Sequence, residues 1–164
     1  LATQSRREAF KILGGLLVCG SSSFGIVHYA VRREASADET VKLGPLSEFA
    51  VGKFEKRVVT VTESGTWLEG LVEKTIWLRR NADDSFLVFS GTCPHMNCTV
   101  NLAQDQTFEC PCHMSHFDAE GRVTAEPAPR ALDALEYRVS GDGMVSIQFQ
   151  NYRKGLETKE LVPK

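Results

Sequence analysis

No basic stripe with interleaved aromatic residues runs through the 164 residues, which excludes an extended nucleic-acid-binding surface. Nor is the composition poor in apolar residues or rich in charge of one sign. It is 42% hydrophobic and 24% charged with a net charge of −2, so the chain is not intrinsically disordered. No internal repeat is present, which excludes a solenoid or propeller. Past residue 55 no strongly amphipathic helix of ten or more residues stands out, and short alternating segments take its place. Cysteine is scarce, and four of the five cysteines fall within two six-residue boxes.

Charge is divided along the chain. Before residue 34 there are five basic residues and one acid, Glu8; from Glu34 onward there are fourteen bases and twenty acids. This suits a cationic membrane anchor followed by an acidic soluble head. Ser5-Arg6-Arg7-Glu8-Ala9-Phe10-Lys11 resembles a twin-arginine export signal, although Ala9 stands where that pattern usually has Phe. Residues 12–31 follow as an apolar run of twenty, about 30 Å as a helix and so one hydrocarbon thickness. Gly14, Gly15, Gly20, Gly25 and the serines 21–23 suit close packing against a partner's helices in lipid. Ala35-Ser36-Ala37 resembles a cleavage site, but Arg32 and Arg33 separate it from the apolar run, so a retained anchor is expected. Val18 before Cys19 disfavours a lipid-anchored cysteine.

The expected organisation is a signal and transmembrane anchor over 1–31, a polar tether over 32–53, a head over 54–151 and a C-terminal tail over 152–164. Segments 58–62, 75–78 and 86–89 read as strands. Residues 137–139 and 144–149, joined through Gly141-Asp142-Gly143, read as a hairpin. The fold class is all-β: a small antiparallel sandwich or barrel head behind one N-terminal transmembrane helix.

The two boxes are Cys93-Pro94-His95-Met96-Asn97-Cys98 and Cys110-Pro111-Cys112-His113-Met114-Ser115. A structural zinc site commonly shows C-x2-C or H-x3-H spacing. Here the spacings are C-x-H and C-x2-H, with two further cysteines left over. A cysteine nucleophile needs one thiol beside one base, not two matched pairs. Two such pairs suit a diiron cluster with thiolates on one iron and imidazoles on the other.

The boxes resemble those of the Rieske iron–sulfur family, closely over residues 85–140. The resemblance implies a [2Fe–2S] cluster with Cys93 and Cys110 on one iron and His95 and His113 on the other. It implies a disulfide between Cys98 and Cys112, as in the high-potential branch. Since a disulfide would not persist among cytosolic thiols, the head is expected outside the cytoplasmic membrane of a bacterium, with the amino terminus inside. Departures from the family pattern are Asn97 and Met114 in place of glycines, Glu126 for another glycine, and Phe117 where a tyrosine is usual. Ser115 keeps a hydroxyl for a cluster sulfide, whereas Phe117 has none, which lowers the expected potential within a range of about −150 to +300 mV. Pro127-Ala128-Pro129 matches the family's proline-rich covering loop. His116 is expected at the surface and not as a fifth ligand.

What the resemblance implies about activity is electron transfer, as the iron–sulfur subunit of a quinol:cytochrome c oxidoreductase. His113 first, and His95 second, would contact the quinol and take its proton. The implied partners are a cytochrome b-type membrane subunit, a c-type cytochrome and quinol, within a dimeric multi-subunit complex. The alternative is the small Rieske subunit of an arsenite-oxidase-like molybdoenzyme. The head is expected to pivot on the tether between its donor and its acceptor.

Overall fold

The computed structural model describes residues 39–63 and 70–162. Ten strands form three antiparallel sheets, with one 3-10 turn at Leu46–Glu48. The longest strands are β2 (Phe54–Glu63) and β3 (Gly70–Arg80), paired in unbroken register from Phe54 opposite Arg79 to Glu63 opposite Gly70. Their middle is rich in Val, Thr and Ile, residues whose branched Cβ suits the pleat. In β2 the alternation is plain: Val59 and Val61 point inward, and Val58 and Thr60 outward. β4 (Phe86–Ser90) completes this sheet in the order β2–β3–β4.

β3 breaks the alternation, because Ile76, Trp77 and Leu78 are buried in succession. Successive side chains point to opposite faces, so consecutive burial means both faces are covered. Ile76 and Leu78 join one core with Val59, Val61, Val88, Val145, Ile147 and Phe149. Trp77 joins a second core with Phe54, Phe89, Val100, Phe108 and Phe117. The first core is closed by a sheet of β1 (Glu39–Pro45), β10 (Met144–Phe149) and β9 (Glu136–Val139) in that order. The second is closed by four strands of two or three residues: β5 (Asn101–Leu102), β6 (Phe108–Glu109), β7 (His116–Phe117) and β8 (Val123–Ala125). Strands this short hold few ladder hydrogen bonds, so their position depends on the aromatic packing beneath them. Phe108, fully buried, meets Phe54, Phe89 and Trp77 at centroid distances of 4.9, 5.8 and 6.0 Å, each edge-on. Burial of one such ring stabilises by about 1.5–3 kcal/mol.

The all-β antiparallel class therefore holds over the described residues, as three sheets around two cores. The sequence reading placed 32–53 in a tether, but residues 39–53 are built into the head. β1 pairs along β10 from Glu39 opposite Phe149 to Pro45 opposite Met144, and Phe49 is buried in the first core. Val41 and Leu43 alternate with Thr40 and Lys42, and both pack against that core. Only 32–38 of the tether remain, and they lie outside the described residues, as does the expected anchor. Among the described residues no helix is long and apolar enough to cross a membrane. The C-terminal segment is also folded: the Arg153 amide donates to the Glu160 carbonyl at 2.8 Å and the Val162 amide to the Asn151 carbonyl at 2.9 Å.

Candidate metal centre

Both cysteine boxes are loops at the ends of strands, one between β4 and β5 and one between β6 and β7. The first leaves β4 through Gly91, whose amide donates to the Thr75 carbonyl at 2.8 Å. A Cβ there would lie 2.8 Å from that same oxygen, so only glycine lets the loop start so close to β3.

The two loops repeat one backbone design. In the first, the Cys93 amide donates to the Cys98 carbonyl at 2.7 Å and the Asn97 amide to the Cys93 carbonyl at 3.0 Å. In the second, the Cys110 amide donates to the Ser115 carbonyl at 2.8 Å and the Met114 amide to the Cys110 carbonyl at 3.0 Å. Asn97 and Met114 occupy equivalent positions, and both are left-handed, with φ of 62° and 61°. The glycine positions of the resemblance thus keep a glycine-like backbone without glycine. The design puts Cys93 and Cys110 at equivalent inner positions, 0% and 1% exposed, and neither is in a disulfide.

Cys98 and Cys112 form a disulfide that ties one loop to the other, with Cα atoms 6.4 Å apart. The Cys110 sulfur lies within 4.8 Å of both disulfide sulfurs. Those three sulfurs are a poor ligand set, because disulfide sulfurs carry no thiolate charge. The better set pairs Cys110 with Cys93. The Cys93 thiol is pushed up to about 11, first by burial and then by the neighbouring Cys110, against the lowering effect of the His95 and Met96 amides that point at its sulfur. Two adjacent buried thiols with amides aimed at one sulfur suit a cationic group that would replace their protons.

The imidazoles complete the picture. The rings of His95 and His113 meet edge-on at 4.7 Å. His95 Nδ1 is buried without a hydrogen-bond partner among the described residues. A buried, unpaired ring nitrogen is costly unless something accepts its lone pair, and a metal ion does so. His113 is exposed and His95 half-exposed, so the sulfurs lie inside and the imidazoles toward solvent. The donor set therefore fits a cluster held by two sulfurs and two nitrogens.

A third loop closes the site. Ser115 is fully buried, and its Oγ accepts the Ala128 amide at 3.0 Å, which pins 127–129 to the second box. The Glu126–Pro127 peptide is cis; Pro127 is exposed, Ala128 buried and Pro129 half-buried. Phe117 is wholly buried in the second core, in register with Phe108. His116 is half-exposed on β7, its Nδ1 3.8 Å from Glu109 Oε1. Sequence reasoning missed Arg130 and Asp133, whose charged groups pair next to the proline loop with side chains only 8% and 7% exposed. Their spacing of three residues was the available signal, but it carries little weight in a loop.

The family model of the Rieske [2Fe-2S] domain matches residues 41–137. Over 72 residues the chain is 36% identical to the mitochondrial cytochrome b-c1 complex subunit Rieske of Lagothrix lagotricha, covering 43% of this chain and 26% of that protein. It is 38% identical over 72 residues to the chloroplastic cytochrome b6-f complex iron-sulfur subunit of Volvox carteri, covering 42% of this chain and 35% of that one. The match thus spans about a quarter to a third of these relatives' length. Among solved structures, the cyanobacterial plasma membrane Rieske protein of Synechocystis superposes with a TM-score of 0.42 at 23% identity, over 65% of this chain and 97% of that one.

Proposed function

The chain belongs to the Rieske [2Fe–2S] domain family and its cofactor is the Rieske [2Fe–2S] cluster; from that premise we propose that Cys93, Cys110, His95 and His113 hold the cluster and that the protein carries single electrons in a membrane quinol-oxidising complex. The observation that carries this reading is the pair of matched loops, with two buried free cysteines inside and two imidazoles outside. When bound, the cluster supplies a one-electron couple whose potential answers to its hydrogen bonds and its solvent exposure.

The chain's own residues do the rest. Cys93 and Cys110, buried below the loops, exclude water from the sulfur side. Ser115 Oγ accepts the Ala128 amide, so its hydroxyl hydrogen is free to donate to a sulfur and stabilise added negative charge. With Nδ1 of His95 turned inward, Nε2 is its outward nitrogen. The exposed ring of His113 is the first candidate to accept a hydrogen bond, and then a proton, from a quinol hydroxyl at Nε2, and His95 is the second. The electron leaves for a c-type cytochrome, and a cytochrome b-type subunit is the membrane partner. The relatives' membership of cytochrome complexes supports this reading, as does the disulfide, which suits a head on the outer side of a bacterial cytoplasmic membrane.

The test is compositional and spectroscopic. Purified protein should contain iron and acid-labile sulfide in equal amounts, with a reduced-state electron resonance signal of mixed sulfur and nitrogen ligation. His113→Ala and Cys93→Ser should each abolish that signal. Stoichiometric zinc without sulfide would sink the assignment. Co-purification with a molybdenum subunit in place of cytochrome b would favour the arsenite-oxidase-like alternative.

A further inference from the structure

The Arg130 side chain is only 8% exposed, and its guanidinium is engaged on two sides. Toward its own loop, Nε and Nη2 donate to the two carboxylate oxygens of Asp133 at 3.1 and 2.8 Å. Toward the C-terminal segment, Nη1 donates to the Leu156 carbonyl at 2.7 Å and Nη2 to the Arg153 carbonyl at 2.9 Å. A buried ion pair contributes little net stability, because desolvating both charges offsets their attraction. What the planar fork does well is fix direction. Here it fixes the segment 153–156.

That segment in turn touches the first metal-binding loop. The Gly155 amide donates to the Pro94 carbonyl at 2.8 Å, and a Cβ on Gly155 would stand 4.0 Å from the His95 carbonyl. Gly155 has φ of +70°, a conformation open to glycine at little cost, and it turns the amide toward Pro94. Pro94 lies between Cys93 and His95. Further along the chain Lys159 Nζ donates to the Ala134 carbonyl at 2.7 Å, and before the segment Tyr152 packs against the first core. On the other side of Arg130, Ala128 holds the second loop through Ser115. The short stretch 128–133 thus reaches one loop directly and the other through the C-terminal segment.

We propose that Arg130 is a positioning residue for the metal centre: by holding segment 153–156 against Pro94 it sets the placement of Cys93 and His95, so that the C-terminal segment is a clamp on the first loop. This rests on the ligand assignment above. If the contact served only to fold segment 153–156 onto the head, the metal centre would be indifferent to its loss.

The experiment compares the full-length, cluster-loaded protein with the double variant Arg130→Met, Asp133→Leu, which removes both charges and leaves neither buried alone. Three quantities are read below the unfolding temperature of both proteins: hydrogen exchange of peptides covering 152–158 and 92–98, the half-time of iron and sulfide release, and the reduced-state resonance line shape. The expected result is faster exchange in both peptides, iron release accelerated by about tenfold and an altered line shape, as for loss of charge-assisted hydrogen bonds from a local opening. Arg130→Lys, with a charge but no fork, should fall between. A freed C-terminal segment with unchanged release and line shape would overturn the proposal, and so would unchanged exchange at 152–158. Should the double variant not fold, exchange in the unaltered protein decides the matter: a shared opening of 152–158 and 92–98 supports the clamp, and independent half-times overturn it. Absence of iron and sulfide from the unaltered protein is a different result, which overturns the ligand assignment.

Discussion

Met114 holds a left-handed backbone without glycine's freedom, and the cost is calculable. An L side chain in that region is disfavoured by about 1–2 kcal/mol, while glycine loses roughly 0.5–1 kcal/mol more on folding through its unfolded freedom. The side chain is 62% exposed, so little packing is at stake. Met114→Gly should therefore raise stability by about 0.5–1 kcal/mol, a few degrees in melting temperature, with the resonance signal unchanged. A lower melting temperature would show that the methionine makes contacts worth more than its strain. Phe117 is a different case. It is fully buried beside the metal-binding loops and offers no hydroxyl. Phe117→Tyr should raise the midpoint potential by roughly 40 mV, the one-electron equivalent of about 1 kcal/mol of preference for the reduced state. An unchanged potential in an intact cluster would mean that the new hydroxyl reaches no sulfur. At this scale the boxes were legible, since ligand chemistry restricts residue type and spacing. Arg130 was not, because nothing in a sequence shows that a loop arginine is buried.

Among the elements, the two loops are stabilised by different things. Each has its own pair of backbone hydrogen bonds, and the disulfide is the covalent tie between them. Removing a ligand and removing the tie should thus have distinguishable effects. Cys98→Ser or Cys112→Ser leaves both buried free cysteines and both imidazoles in place. It should give partial cluster loss or a lowered potential, with the remaining signal recognisable. Cys93→Ser or Cys110→Ser should leave no cluster at all. Equal outcomes in an iron and sulfide assay would mean that bridge and ligands are interchanged. Strand 58–62 and the hairpin were legible by their alternation, and 75–78 and 86–89 as short runs of β-branched, apolar and aromatic residues. β1 carried the same alternation at Val41 and Leu43, but charged neighbours and its place behind a membrane-like segment made it read as a tether. The strands β5 to β8 were not legible, since two or three residues are too short to show a period.

At the scale of the molecule, the sheet β2–β3–β4 serves two cores at once. Ile76 belongs to the core away from the metal centre and Trp77 to the core beneath it. Ile76→Ala should lower stability by about 2–5 kcal/mol through the cavity it leaves, and Trp77→Ala by about 3–5 kcal/mol. The two should differ in the metal signal. In folded protein, Ile76→Ala should leave the resonance line shape alone, whereas Trp77→Ala, which also loses the indole hydrogen bond to the Val100 carbonyl at 3.3 Å, should change it. Equal disturbance by both would show that the cores are not separable and that the centre senses the whole head.

The chemistry and the class were readable in the residues alone: two boxes with paired Cys and His, and short alternating segments that point to an all-β head. These are local properties, carried by residue type and by spacings of a few positions. Tertiary structure settled that Val41 and Leu43 are sheet and not tether, that β3 is covered on both faces, and that the segment around Gly155 returns to Pro94. Each of these joins residues far apart in the chain, as Gly155 to Pro94 and Glu39 to Phe149 do. Burial and hydrogen-bond partnership belong to such pairs, and no single segment contains the information that specifies them.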